Sequence, residues 1–235
     1  MKFAHEKNDI NLRNNKDRDR MYTRFDTEQK DLFHKIQGNI FTYCEACAGS
    51  GKTTVSVAAM VDLLANEDIS KIVYVRVADD RAQSIGYMPG TMEEKTEMYW
   101  GPFYEAMETI GFQREMVTFM ISQGLIETTL DINLRGRNLE HAGIILDEVQ
   151  NADTETMRLI FTRVHDNSHI VAIGDGRQSD QKRIHGEYKN YCEFLAESSM
   201  GARCVLTHDY RGKFSALAES FEPDLYITKE RKKIA

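Results

Sequence analysis

The sequence predicts an α/β fold: a mostly parallel sheet covered by helices on both faces. Three observations predict it. Apolar runs of strand length alternate with amphipathic stretches of helical length, the pattern of strand–helix–strand crossovers. The strand-like runs are mainly apolar, as strands buried on both faces are. And 235 residues with 41% hydrophobic and 29% charged side chains suit one soluble domain with a sizeable core.

Residues 1–26 are polar and charged, Arg13, Lys16, Arg18, Arg20 and Arg24 being interleaved with Asp17 and Asp19, and read as a mobile or loosely docked arm. Residues 27–223 read as a single domain and 224–235, containing the run KERKK, as a basic solvated tail. Within the domain, a helix over about 27–37 leads to a strand at Ile40–Cys44, a glycine-rich turn and a helix at Lys52–Ala65. Lys71–Val77 is the second strand. Helices are expected at Glu93–Ile110 and 113–123, and extended chain at 125–134. Buried strands at Ile144–Leu146 and Ile170–Ile173 flank a helix near 154–164. Cys204–Leu206 reads as the last strand and Lys213–Phe221 as a closing helix. There are no repeats and no low-complexity tract.

Charge and cysteines narrow the function class. Thirty basic against 37 acidic residues give a net charge of −7, so broad coating of nucleic acid is excluded. Any such contact falls to local patches: Arg76, Arg81 and the basic segments at the two ends. No run approaches the roughly 18 apolar residues of a membrane span, and the first residues lack the apolar core of a secretory signal. Four cysteines make no disulfide scaffold, and a reducing cytoplasm is expected. Cys44 and Cys47 form a CxxC, but Cys47 lies within the glycine-rich turn; both read as small buried cysteines. His165 and His169 straddle a helix end and a strand start, a poor frame for a metal.

The chemistry concentrates at strand ends. Residues 46–54 read ACAGSGKTT between a strand and a helix, the context of a phosphate-binding Walker A loop. Ala46, Cys47, Ala48, Gly49, Ser50, Gly51, Lys52, Thr53 and Thr54 therefore form the expected nucleotide cradle. Glycines let backbone N–H groups face phosphate oxygens, and the helix N-terminus adds its dipole. Lys52 is placed on the β/γ-phosphates and the Thr53 hydroxyl on Mg²⁺. The usual leading glycine is Ala46 here, a small residue remote from the phosphates.

Ile144 to Glu148 reads as an apolar strand ending in two carboxylates, with Asp147 assigned to the metal and Glu148 to the attacking water. Solvated strand-end acids are the plainer alternative, weakened by the preceding phosphate loop. Gly174-Asp175-Gly176-Arg177-Gln178 closes the next strand and can set the Gln178 amide beside a γ-phosphate. Arg211 competes with Arg135 and Arg137 as the cation that stabilises transferred charge.

These residues resemble the PhoH-like ATPases, whose core is similar to the first motor domain of superfamily 1 helicases. The resemblance covers about residues 27–221. It rests on AGSGKT (48–53), YVRVADDRAQSIGYMPGTMEEK (74–95), LRGR (134–137), IILDEVQNADTETM (144–157), TRV (162–164), GDGRQSD (174–180) and the segment ending in Arg211. It implies a P-loop NTPase (RecA-like) fold of three α/β/α layers and ATP hydrolysis with Mg²⁺. It also implies a role linked to RNA or single-stranded nucleic acid, and adenine recognition by Gln29. Ala46, and Val75-Arg76-Val77 where the family often has Thr-Arg-Pro, mark a divergent member of phage or bacterial type.

Three functions are thus expected in order: ATP hydrolysis, transfer by a P-loop kinase, or a nucleotide-gated RNA-binding module. A chain of this length holds one nucleotide core, so the second wall of a motor-type site is expected from another copy in a ring or other homo-oligomer.

Overall fold

The computed structural model describes residues 16–77, 92–175 and 187–220. Six strands, β1 (Phe41–Ala46), β2 (Lys71–Arg76), β3 (Ile126–Leu130), β4 (Ala142–Asp147), β5 (His169–Gly174) and β6 (Gly201–Leu206), form one sheet in the order β3-β2-β4-β5-β1-β6. Every adjacent pair is parallel. Parallel neighbours need long crossovers, and helices supply them.

The helices are α1 (Lys16–Arg24), α2 (Thr27–Gly38), α3 (Lys52–Ala65), α4 (Met92–Thr109), α5 (Arg114–Ser122), α6 (Thr154–Phe161), α7 (Glu187–Ala196) and α8 (Lys213–Glu219). Two apolar clusters cover the sheet. One joins Leu32 and Ile36 of α2, Val57 and Met60 of α3, and Phe103 and Met107 of α4 to Tyr74 and Ile145. The other joins Met157 and Ile160 of α6 and Tyr188 and Cys192 of α7 to Tyr43, Val75 and Ile144. The α/β class and the helices on both faces are as the sequence predicts.

Local chemistry sets the boundaries. Asp26 caps α2, its carboxylate accepting the Gln29 N–H at 2.7 Å while the Gln29 side chain accepts the Asp26 N–H at 3.2 Å. Asp153 caps α6 with a single bond, its carboxylate accepting the Thr156 N–H at 2.7 Å. All six residues of β4 are buried, which accounts for its unbroken apolar run.

Three segments differ from expectation. The described part of the arm forms α1 from Lys16: Met21 and Tyr22 pack on the core, Phe25 is buried, and the Tyr22 ring lies 5.1 Å from Phe33. These apolar residues sit among enough charges to hide the docking face. The extended stretch at 125–134 splits into β3 and a 3-10 turn at Asp131–Leu134. α7, for which the sequence suggested nothing, buries only Tyr188, Cys192 and Ala196, a stripe at i, i+4, i+8 in a polar run.

The topology positions the site. All strand carboxyl ends lie on one edge. From there β1 feeds α3 toward one face, while β4 and β5 feed α6 and α7 toward the other. Connections that diverge in this way open a crevice beyond the carboxyl ends of β1 and β5.

Candidate nucleotide site

The loop between β1 and α3 lies in this crevice. Gly49 and Gly51 have φ of 73° and 79°, a left-handed conformation that strains any other residue. A Cβ on Gly49 would lie 2.2 Å from Asp209 Oδ1, and one on Gly51 2.8 Å from Gln29 Nε2. Ala46 has no such requirement. It ends β1 paired with Leu206, outside the residues of positive φ, so alanine fits where glycine is usual. Gly51 is the N-cap of α3 and brings no side chain to the first-turn N–H groups. Those groups, beside Lys52, Thr53 and Thr54, remain oriented toward an anion. The Ser50 hydroxyl is buried with no partner among the described residues.

Three neighbours brace the loop. Asp175 Oδ2 accepts the Ala48 N–H at 3.1 Å, and the Tyr210 N–H donates to the Gly49 carbonyl at 3.0 Å. Gln29 Nε2 donates to the Ser50 carbonyl at 3.0 Å. The Gln29 amide, expected at adenine, is thus engaged at one end with the loop and at the other with Asp26. Cys44 and Cys47 are both buried, and no metal-binding group of three or more His, Cys, Asp or Glu occurs among the described residues.

Facing the loop is the end of β4. Asp147 is 2% exposed; its Oδ2 accepts the Tyr74 hydroxyl at 2.5 Å and its Oδ1 the Glu148 N–H at 2.9 Å. Glu148 has φ 58°, a left-handed conformation rare for a residue with a side chain and a form of strain common at functional sites. Its Oε2 accepts Gln150 Nε2 at 2.5 Å, and its Oε1 lies 3.4 Å from Arg76 Nη2. Burial pushes the Glu148 carboxyl above its ordinary value and the Asp147 charge adds to this; Arg76, Gln150 and Lys52 offset only part. A carboxylate made more basic in this way, beside a phosphate loop, is suited to take a proton.

A family model described as PhoH-like protein matches residues 23–209. The chain belongs to the PhoH-like family. The PhoH-like protein of Mycobacterium leprae (strain TN) is 34% identical over 152 residues, 65% of this chain and 43% of that protein. That of Bacillus subtilis (strain 168) is 32% identical over 152 residues, 65% of this chain and 47% of its own length. Protein PhoH of Escherichia coli (strain K12) is 29% identical over 149 residues, 63% of this chain and 42% of its own. The matched stretch spans less than half of each of these relatives. Among solved structures, the large terminase of the thermophilic bacteriophage D6E in complex with ADP aligns with 88% of this chain and 50% of its own. That alignment has 12% identity and a TM-score of 0.45, too remote to bear on this chain's chemistry.

The other expected residues of this PhoH-like chain are placed as follows. Arg211 lies across the loop, its Cγ 2.7 Å from where a Gly49 Cβ would stand. Arg76, expected on a nucleic-acid surface, is instead turned onto Glu148 and is 22% exposed. It ends β2 opposite Asp147, and the acidic pair is the nearest counter-charge. Arg137 does not reach the site. It grips Glu127 with both guanidinium nitrogens, Nη2 at 2.7 Å from Oε2, near Lys71 at the start of β2 and away from the carboxyl edge. The turn at Gly136, φ 75°, directs the chain back that way. Arg135 is exposed beyond β3. Gln178, Arg81 and the 224–235 tail lie outside the described residues.

Four residues join the site without having been assigned to it: Tyr74 on Asp147, Gln150 on Glu148, Asp175 under the loop and Asp209 beside Gly49. Gln150 had a signal, lying two residues beyond the Asp-Glu pair. Tyr74 had only its place in an apolar strand.

Proposed function

We propose that this chain binds ATP with Mg²⁺ and hydrolyses it to ADP and phosphate in the cytoplasm, with turnover coupled to RNA or single-stranded nucleic acid. The observation that carries it is the joint placement of a left-handed glycine loop and the Asp147-Glu148 pair on one sheet edge. The residues fit the metal and the nucleotide. Thr53 and Asp147 offer hard oxygen donors of the kind Mg²⁺ takes, and the buried Ser50 hydroxyl is a donor left for a ligand. When bound, the ion neutralises charge on the β- and γ-phosphate oxygens.

The chain's own residues do the rest. The loop N–H groups and Lys52 hold the phosphates, Glu148 takes the proton of the attacking water, and Arg211 offers positive charge over the loop. Gln178 keeps the γ-phosphate role that its sequence position suggests. A kinase would need a bound alcohol as acceptor, so phosphate release from ATP alone separates the two readings. Arg81 and the terminal basic segments supply any phosphate contacts to nucleic acid, and a second copy closes the open side of the site. No helix among the described residues is long and apolar enough to cross a membrane.

Phosphate release from ATP alone, with and without single-stranded RNA or DNA, tests this reading, using Lys52→Ala as the blank. Release without an added acceptor, lost in Lys52→Ala, is expected. A chain that releases none is not a hydrolase, and RNA affinity unchanged from low to high salt removes the nucleic-acid coupling. Arg137→Ala is expected to keep wild-type turnover and to lower stability by about 1 kcal/mol or less, as read by thermal melting. Loss of turnover would return Arg137 to the site.

A further inference from the structure

We propose that Gln150 and Asp175 are positioning residues, forming a buried relay that ties the Glu148 carboxylate to the phosphate loop. The inference rests on the hydrolytic reading for its meaning, and on four hydrogen-bonded residues for its geometry. From the loop outward, the Ala48 N–H donates to Asp175 Oδ2 at 3.1 Å. The Asp175 N–H donates to Gln150 Oε1 at 3.2 Å, and Gln150 Nε2 donates to Glu148 Oε2 at 2.5 Å. The path crosses three neighbouring strand ends, β1, β5 and β4, in their order in the sheet.

Directionality makes this a relay. The amide of glutamine has one accepting and one donating end. The Asp175 N–H can only donate, so it demands the carbonyl end. The carboxylate of Glu148 can only accept, so it demands the NH₂ end. Both neighbours select the same orientation of Gln150, and the flipped amide would fail at both. Neither a glutamate nor an apolar residue at 150 could satisfy the pair.

Burial makes the relay matter. Gln150 is 1% and Asp175 3% exposed, so water does not take the place of a lost partner. Space is closed as well: a Cβ on Gly174 would lie 2.5 Å from Gln150 Oε1 and 2.8 Å from Val149 Cγ1. Gly174 thereby leaves the Gln150 amide its place. Glu148 needs such support because its left-handed backbone is strained, and the other contact on its carboxylate, Arg76, is longer at 3.4 Å.

The test combines turnover with a readout that needs no turnover. Gln150→Leu is expected to lower kcat about tenfold to a hundredfold, the range for a misplaced reacting group, with little change in KM for ATP. Asp175→Ala frees the loop end and is expected to lower kcat and raise KM together. Asp175→Asn keeps an oxygen that can face Ala48 and is expected to lose less than Asp175→Ala in both kcat and KM. In the double variant Gln150→Leu/Asp175→Ala the losses in kcat should fall well short of multiplying, because one relay is broken twice.

Amide hydrogen exchange of the nucleotide-free chain provides the independent arm. Gln150→Leu should speed exchange at Asp175 and also at Ala48, two links away. Multiplying losses in kcat, or Ala48 exchange unmoved by Gln150→Leu, would overturn the relay. Wild-type chain without turnover, but with the exchange coupling intact, would instead remove the hydrolytic reading and leave the relay standing. Should Gln150→Leu fail to fold, Gln150→Met, unbranched and of similar length, makes the same test.

Discussion

Glu148→Gln is expected to bind ATP as the wild type does and to turn it over about a hundredfold or more slowly, the loss that follows removal of a general base. The substitution preserves shape. A glutamine carbonyl at 148 can still accept Gln150 Nε2, and Asp147 and Tyr74 are untouched. What is lost is the capacity to hold a proton, together with the charge that faces Arg76. Phosphate release against titration of a fluorescent nucleotide separates the two effects, and turnover at the wild-type rate would show that Glu148 is not the base.

The same variant has an opposite effect on stability. Burial and the Asp147 charge raise the Glu148 carboxyl above its ordinary value of 4.5, so the fold favours the protonated form. Glu148 therefore destabilises the chain once pH climbs through its raised folded value, and is harmless below the ordinary one. Glu148→Gln should melt higher than wild type at neutral pH, with the gap closing in acid. Melting curves at two pH values check the sign. A variant that melts lower at neutral pH would mean that Arg76 outweighs burial.

Gly49→Ala is the second large effect. At φ 73° a side chain costs about 1–2 kcal/mol. Its methyl would also enter space held by Asp209 Oδ1, 2.2 Å away, and by Arg211 Cγ at 2.7 Å. The segment after β6 must lift, drawing the Tyr210 N–H off the Gly49 carbonyl and Arg211 off the loop. ATP affinity should fall about tenfold for each 1.4 kcal/mol of this strain borne by the bound loop. Adding Asp209→Ala should return part of the loss by opening the collision while the backbone strain stays. Unchanged affinity in Gly49→Ala would show that the phosphates are not cradled by this loop conformation.

What the sequence made legible was local. The helix Lys52–Ala65 has the limits expected of it, because the loop starts it and a run of apolar residues carries it. The loop and the Asp147-Glu148 pair could be read because each is a short pattern at a strand end. Distant pairings were not legible. Whether Arg76 faces nucleic acid or Glu148 depends on β2 lying beside β4, and no property of Arg76 itself decides it. Arg137 was drawn to Glu127 by a turn and a strand pairing that spacing does not encode. α7 escaped notice because three buried positions in ten residues barely rise above a polar background. Gln150 and Asp175 meet only because β4 and β5 are neighbours.

The place of β5 sets a width. It lies between the loop-bearing strand and the acid-bearing strand, so their ends stand two strand spacings apart, about 9.6 Å. Directly adjacent strands would leave about 4.8 Å, a slot filled by the two backbones alone. β5 is thus the spacer of the cleft: its thickness gives the distance across which the proposed hydrolysis would have to fit a phosphate chain and a water molecule.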